Sequence, residues 1–177
     1  MPLSLVGSEM CIRDRYEEAF KNIDDVFWKD AGCSSELDYI EQTSWILFLK
    51  YLDDYEAEKE TAAILNGESY ERIIDNEFRW KEWAYPKTTD GKLNYDIALT
   101  GDDLLEFVNK ELFPHLAGFK QSAENPKSID YKIGEIFSEL RNKLQSGYSL
   151  RDVINKVNDL KFLSNKEKLE LSSLYED

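Results

Sequence analysis

Between residues 16 and 60 the polar and apolar positions alternate with a helical period. Phe20, Ile23, Val26 and Phe27 fall at i, i+3, i+6 and i+7, one stripe of a helix that the pattern starts at Tyr16 and that Gly32 is placed to stop. Ser34 or Ser35 then caps a second helix, predicted from Leu37 to about Ala63 and roughly 40 Å long. Its segment Trp45-Ile46-Leu47-Phe48-Leu49-Lys50-Tyr51-Leu52 is apolar on nearly every side, the mark of a buried helix, with Leu37, Ile40, Ser44, Leu47, Tyr51 and Tyr55 along one seam. Eight such residues are too few to cross a bilayer, which needs about 20. Asn66-Gly67 is its stop signal.

Residues 68–99 break the pattern. Phe78, Trp80, Trp83 and Tyr85-Pro86 carry no sustained period, and Thr89-Asp90-Gly91 is a turn signal. A short helix over Tyr70 to Asp75 is expected, then irregular chain with a short hairpin. Trp80 and Trp83 are expected against the core helix; the alternative, exposed rings that stack bases, is disfavoured by Glu77, Glu82, Asp90 and Asp96 around them. Helical period resumes at Thr100, an N-cap followed by Asp102 and Asp103, with Leu104, Phe107, Val108 and Leu112 on the buried face and Pro114 ending or kinking the helix near Leu112. After a loop at Pro126, Ser128 opens a helix whose Ile129, Ile133, Ile136, Phe137, Leu140 and Leu144 share one face, up to a stop at Gly147. Ser149 with Asp152 starts the next, burying Leu150, Val153, Ile154 and Val157, and Ser164 with Glu167 forms a capping box before Leu169 and Leu174. The fold class is all-α: a bundle of about six helices around one central buried helix, with an irregular aromatic-rich segment.

The first fifteen residues, MPLSLVGSEMCIRDR, share no period with the helix that begins at Tyr16 and lack the basic and apolar regions of a signal peptide. They resemble a translated library adapter, so residues 1–15 are read as an artefactual, unstructured extension and 16–177 as one helical domain. Charge then divides that domain. Residues 16–118 hold 10 basic and 24 acidic side chains, a net of −14, whereas 119–168 hold 10 basic and 7 acidic, a net of +3. A chain of net charge −14 is repelled by nucleic acid at long range, so any DNA contact belongs to the 119–168 zone, with Lys120, Lys132, Arg141, Lys143 and Arg151 as candidates. Cys11 and Cys33 make no disulfide framework, which points to a reducing, cytoplasmic compartment.

Catalytic chemistry is missing. His115 is the single histidine and has no partner at ligand spacing. The glycines form no phosphate-cradling loop, and Asn125-Pro126-Lys127 lacks the second proline of the Asn-Pro-Pro-aromatic motif. The pairs Asp24-Asp25, Asp53-Asp54 and Asp102-Asp103 diverge by about 100° on a helix and are read as solvated faces.

The stretches WKDAGCSSELDYIEQTSWILFLKYLDD, FRWKEWAYPK, DGKLNYDIALTGDDLLEFVNKELFPHLAGF and IDYKIGEIFSELRNKLQSGYSLRDVINKVNDLKF resemble the N-terminal helical domain of the M (modification) subunit of type I restriction-modification DNA methyltransferases. The resemblance covers Tyr16 to Asp177. It implies a fragment of an adenine-specific methyltransferase whose S-adenosylmethionine-binding catalytic domain is absent here, so that this chain alone binds no cofactor and is not catalytic. The implied partners are a specificity (S) subunit, a second M subunit, a restriction (R) subunit and, within that complex, DNA, with no membrane. The rival is a stand-alone acidic interaction module or DNA mimic, which needs carboxylates in phosphate-like rows. A small independent enzyme is the weakest reading.

Overall fold

The computed structural model describes the backbone of residues 2–160 and side chains from 16 to 160. The Ser164–Glu167 capping box lies outside the described residues. Among those described, the chain is helical with no strand. Helix α1 spans Pro2–Lys29 and α2 spans Glu36–Leu65. After irregular chain comes a 3-10 turn at Asn76–Phe78 and a single turn, α3, at Trp80–Trp83. Helices α4 (Gly101–Phe107) and α5 (Phe113–Ala117) are joined without a break by a π turn, Val108–Leu112. The short α6 (Phe119–Ser122), then α7 (Ile129–Glu139) and α8 (Gly147–Asn158), complete the domain.

Helix α2 forms where its caps dictate. The Ser35 side chain accepts from the Asp38 N–H, satisfying one of the donors that every helix start leaves open. At the other end Gly67 takes φ +73 and Glu68 N–H donates to Ala63 O while Gly67 N–H donates to Ile64 O, a Schellman closure that favours glycine. Trp45, Ile46, Leu47 and Leu49 are buried as expected, whereas Phe48, expected to be buried with them, is only half-buried because it lies at the open side of α2. An aromatic chain links α2 to α5 and α7: Trp45 meets Phe113 edge-on at 4.9 Å, Phe113 meets Phe137 at 5.1 Å, and Phe48 meets Phe137 at 6.2 Å. Helix α8 buries Leu150, Val153, Ile154 and Val157 completely.

Several boundaries differ from the sequence pattern. Helix α1 continues back from Tyr16 to Pro2, because residues 8–15 contain no proline or glycine to stop the backbone ladder. No helix forms over 70–75. That chain instead bends at Ile73–Ile74 over Glu56, only 1% exposed, whose carboxylate accepts from the N–H groups of Ile73 and Ile74 and from the Tyr70 hydroxyl. The short hairpin is one antiparallel bridge, Lys87 with Leu93, turning at Gly91 (φ +84). Thr100 does occupy the N-cap but makes no side-chain capping bond. Pro114 neither ends the helix nor leaves a gap in it. The π turn before it shifts the ladder, with Phe113 N–H donating to Val108 O, so the missing proline N–H falls where the register changes. Helix α7 stops at Glu139 rather than running to Gly147, and α8 is capped by Ser146, whose hydroxyl accepts from Ser149 N–H, rather than by Ser149.

Leu47 packs on the edge of the buried face at 7% exposure. Leu47→Ala is expected to cost about 2 kcal/mol, the lower end of the range for such truncations, because solvent lies close enough to fill part of the space. Urea unfolding followed by circular dichroism checks this; no change in midpoint would place Leu47 outside the core.

Candidate functional site

The chain between α7 and α8, residues 140–146, is non-helical, and it is held by polar side chains of α2 and of the bend just after α1. Gln42, fully buried, donates from Nε2 to Arg141 O at 2.9 Å and accepts at Oε1 from Lys143 N–H at 3.1 Å and Trp45 Nε1–H at 2.9 Å. Asp30, 5% exposed, accepts from the N–H groups of Gly32, Gln145 and Ser146 at 2.8–3.1 Å. Asp38 accepts from Ser34 N–H and from Lys143 Nζ, 2.6 Å away, and these hydrogen bonds hold its carboxyl well below the ordinary carboxylate range. The same contact raises the Lys143 ammonium. Cys33 sits beneath this junction, where burial and the nearby Asp30 charge push its thiol up to about 11, so it is protonated and unreactive.

Two depressions adjoin this clasp and share Leu140. One is a groove of about 550 Å³ between α2 and α7, lined by Leu37, Ile40, Glu41, Ser44, Trp45, Phe48, Ile136 and Leu140. Leu37 is 70% exposed, and Ile40 and Ile136, which line the groove with it, are exposed too, as are Tyr51 farther along α2 and Ile129 at the start of α7. The apolar stripes of α2 and α7 are therefore only partly covered, contrary to the expectation of a helix enclosed on all sides. The other is a polar cleft of about 500 Å³ over the π turn, lined in part by Asn109, Pro114, Ser138, Arg141 and Asn142, with Asn142 Nδ2 donating to Asn109 Oδ1 at 3.1 Å.

The five basic candidates separate. Lys120, Lys132 and Arg141 are exposed. Lys143 bridges Asp38 and Glu41, at 2.6 and 3.6 Å, and its charge is spent within the domain. Arg151 is 8% exposed and does not face solvent. Its Nε donates to Leu99 O at 2.9 Å and its Nη1 to Ala84 O and Asn155 Oδ1, and burial lowers its pKa. It is an interior clamp, a correction to its place among DNA contacts.

The acidic pairs and aromatics also resolve. Asp24, Asp25, Asp102 and Asp103 are exposed as expected. Asp53 is buried at 5% exposure, 3.5 Å from Arg72, and desolvation raises its pKa; it is not a solvated face. Trp80 and Trp83 are buried, with Trp80 Nε1–H donating to Asn158 Oδ1 at 2.9 Å, so neither is available to stack a base. His115 lies in a ring cluster, stacked on Phe78 at 3.9 Å with Asp75 at 3.7 Å. Among the described residues no group of three or more His, Cys, Asp or Glu could hold a metal, and no helix is long and apolar enough to cross a membrane.

Residues 17–157 match the family described as the HsdM N-terminal domain. Over 157 residues the chain is 35% identical to the type I restriction enzyme EcoEI methylase subunit of Escherichia coli, covering 88% of this chain and 29% of that protein. It is similar in structure to a crystallised modification subunit, assigned to a type I restriction enzyme, from Vibrio vulnificus YJ016: TM-score 0.76, 32% identity, 90% of this chain and 33% of that one. A further similar structure comes from work on complex assembly and conformational transition of the type I R-M system, with TM-score 0.66, 30% identity, and coverage of 90% and 28%. The chain spans about three tenths of the length of the curated methylase subunit it matches.

Proposed function

Because this chain belongs to the HsdM N-terminal domain family, the N-terminal domain of type I methylase subunits, we propose that it works as the helical assembly module of such a methylase. In this reading it joins the methylase to a specificity subunit, a second methylase subunit and a restriction subunit, and brings a basic edge to DNA. The similarity over 157 residues to a type I methylase subunit carries the reading. Methyl transfer from S-adenosylmethionine is assigned to the rest of the parent protein, since this chain has neither a glycine-rich cofactor loop nor an Asn-Pro-Pro-aromatic motif.

The edge proposed to meet DNA comprises Lys120, Lys132 and Arg141, three exposed cations in the zone of net +3. Reversing Lys120 and Arg141 to Glu in the parent methylase complex is expected to weaken DNA binding and to reduce the slope of log K against log salt by about two, roughly one for each lost phosphate contact. Lys143 is left out of the test because its ion pair with Asp38 is internal. Reversal of Lys59 and Lys92, in the acidic zone, is the control and should leave the slope unchanged. Equal effects of the two pairs across a salt titration would place the DNA edge elsewhere.

The rival reading, an acidic DNA mimic, needs carboxylates displayed in rows on the surface. Asp30, Asp38, Asp53 and Glu56 instead turn inward and accept hydrogen bonds or ion pairs from the domain's own chain. That disfavours it.

A further inference from the structure

Helix α2 is enclosed on most of its circumference: Asp38, Gln42, Thr43, Trp45, Ile46, Leu47, Leu49, Leu52, Asp53 and Glu56 are all buried. Between Leu37 and Tyr55 one stripe stays partly open, and its exposed side chains, Leu37, Ile40 and Tyr51, are apolar. Leu37, Ile40, Ser44, Phe48, Tyr51 and Tyr55 recur at helical spacing along it, from an exposed Leu37 to a half-buried Tyr55. From Leu37 to Tyr55 it runs about 27 Å at the rise of an α-helix. A surface helix ordinarily turns its polar side outward. Here Asp38, Gln42, Asp53 and Glu56 point in, where the clasp and the irregular segment use them, while Leu37, Ile40 and Tyr51 stand exposed although the rest of the apolar residues around them are buried or half-buried. Ile136 and Leu140 form the facing wall, and Trp45 and Phe48 of α2 line the groove beneath the stripe. Contiguous exposed apolar surface of this kind marks an interaction site.

We propose that this groove seats an amphipathic helix of a partner subunit, with apolar residues spaced i, i+3 or i+4, i+7 and with basic flanks. A groove between two helices, lined on α2 from Leu37 to Phe48, suits a helix laid along it. The charge of the flanks follows from the rim. Glu36 and Glu41 border the stripe on α2, Glu135 and Glu139 stand exposed on α7, and Lys143 is already paired to Asp38 and Glu41. With Glu41 paired to Lys143, the exposed carboxylates left beside the groove are Glu36, Glu135 and Glu139, against the one exposed α7 cation, Lys132, which also belongs to the proposed DNA edge. The same acidic rim opposes a nucleic-acid backbone and an anionic membrane. A second copy of this chain would set like rims against each other, so the occupant is a different chain.

The inference rests on the assembly reading, and the test separates the two. The parent methylase subunit carrying this domain is reconstituted with its partner subunits in three forms: unmodified, Ile40→Asp with Ile136→Asp, and Leu37→benzoylphenylalanine for photo-crosslinking. Both aspartates replace exposed side chains, so thermal unfolding should stay within about 2 °C of the unmodified protein. Association of the double variant should weaken on the order of 30-fold, the loss of one interface hot spot. The crosslink should map to a helical partner segment with Lys or Arg beside its apolar stripe. Failure of the unmodified subunit to join any partner overturns the assembly reading and this inference with it. Normal association of the unmodified subunit together with an undiminished double variant, or a crosslink to DNA, to a second methylase subunit or within the same polypeptide, overturns this inference alone.

Discussion

Gly147→Ala is expected to destabilise the domain by about 4 kcal/mol or more, enough to leave it largely unfolded at physiological temperature. A Cβ at position 147 would lie 1.7 Å from the carbonyl oxygen of Gly101 and 2.3 Å from its carbon. Those atoms are backbone, at the start of α4, and cannot rotate away. The starts of α4 and α8 touch directly, main chain against main chain, and the larger residue could enter only by driving the two helices apart. That would open the packing of Leu104 and Leu150, both fully buried. Gly67→Ala is the contrast. Nothing lies within 4 Å of its Cβ position, so it should cost only about 1 kcal/mol, for the φ of +73 that a side chain disfavours. Chemical denaturation of the two variants side by side decides the matter. Equal costs would mean that the close approach of α4 and α8 is not a fixed feature of the fold.

Neither the Gly147 contact nor the clasp over residues 140–146 shows in local sequence, and both for the same reason. Periodicity reports which side of an element is apolar, and caps report where an element starts. Ser35, Gly67 and the Leu150–Val157 stripe were legible because each acts within a few residues of itself. Gln42 and Asp30 act on chain 99 to 116 residues away. A buried polar group is tolerable only when distant backbone comes to satisfy it, and no local pattern announces that. Helix α7 shows how the two signals come apart. Leu140 and Leu144 keep the helical spacing of Ile133 and Phe137, and Leu144 is indeed buried. Yet the backbone leaves the helix at Leu140, because Gln42 and Asp30 supply the hydrogen bonds that residues 141–146 would otherwise need from a helix. Charge singled out five cations, and only the folded surroundings separate the exposed Lys120, Lys132 and Arg141 from the paired Lys143 and the buried Arg151. The open groove was not legible, since an apolar stripe reads the same whether its cover is another helix of the domain or a separate partner.

Arg151 gives the sharpest test of that distinction, because its charge suggested an outward role and its surroundings assign an inward one. Its guanidinium joins three pieces of chain: the carbonyl of Ala84 after α3, the carbonyl of Leu99 before α4, and Asn155 one turn along α8. A second tie to α8 is the hydrogen bond from Trp80 of α3 to Asn158. Arg151→Met keeps the apolar stem but strands two carbonyls in a site with little access to water. At about 1–3 kcal/mol for each buried group left without a partner, the loss should be about 4 kcal/mol. For a domain of this size that is a fall in melting temperature of roughly 10 °C. Arg151→Lys retains the charge but offers one nitrogen in place of a planar fork, and should recover only part of the loss. Lys120→Glu should behave in the opposite way, leaving the melting temperature unchanged and altering the salt dependence of DNA binding in the parent complex. A melting temperature for Arg151→Met within about 2 °C of the unmodified domain, together with a changed salt slope, would return Arg151 to the DNA edge. The expected result instead makes it the pin between α8 and the irregular chain, by which the aromatic segment is held onto the bundle.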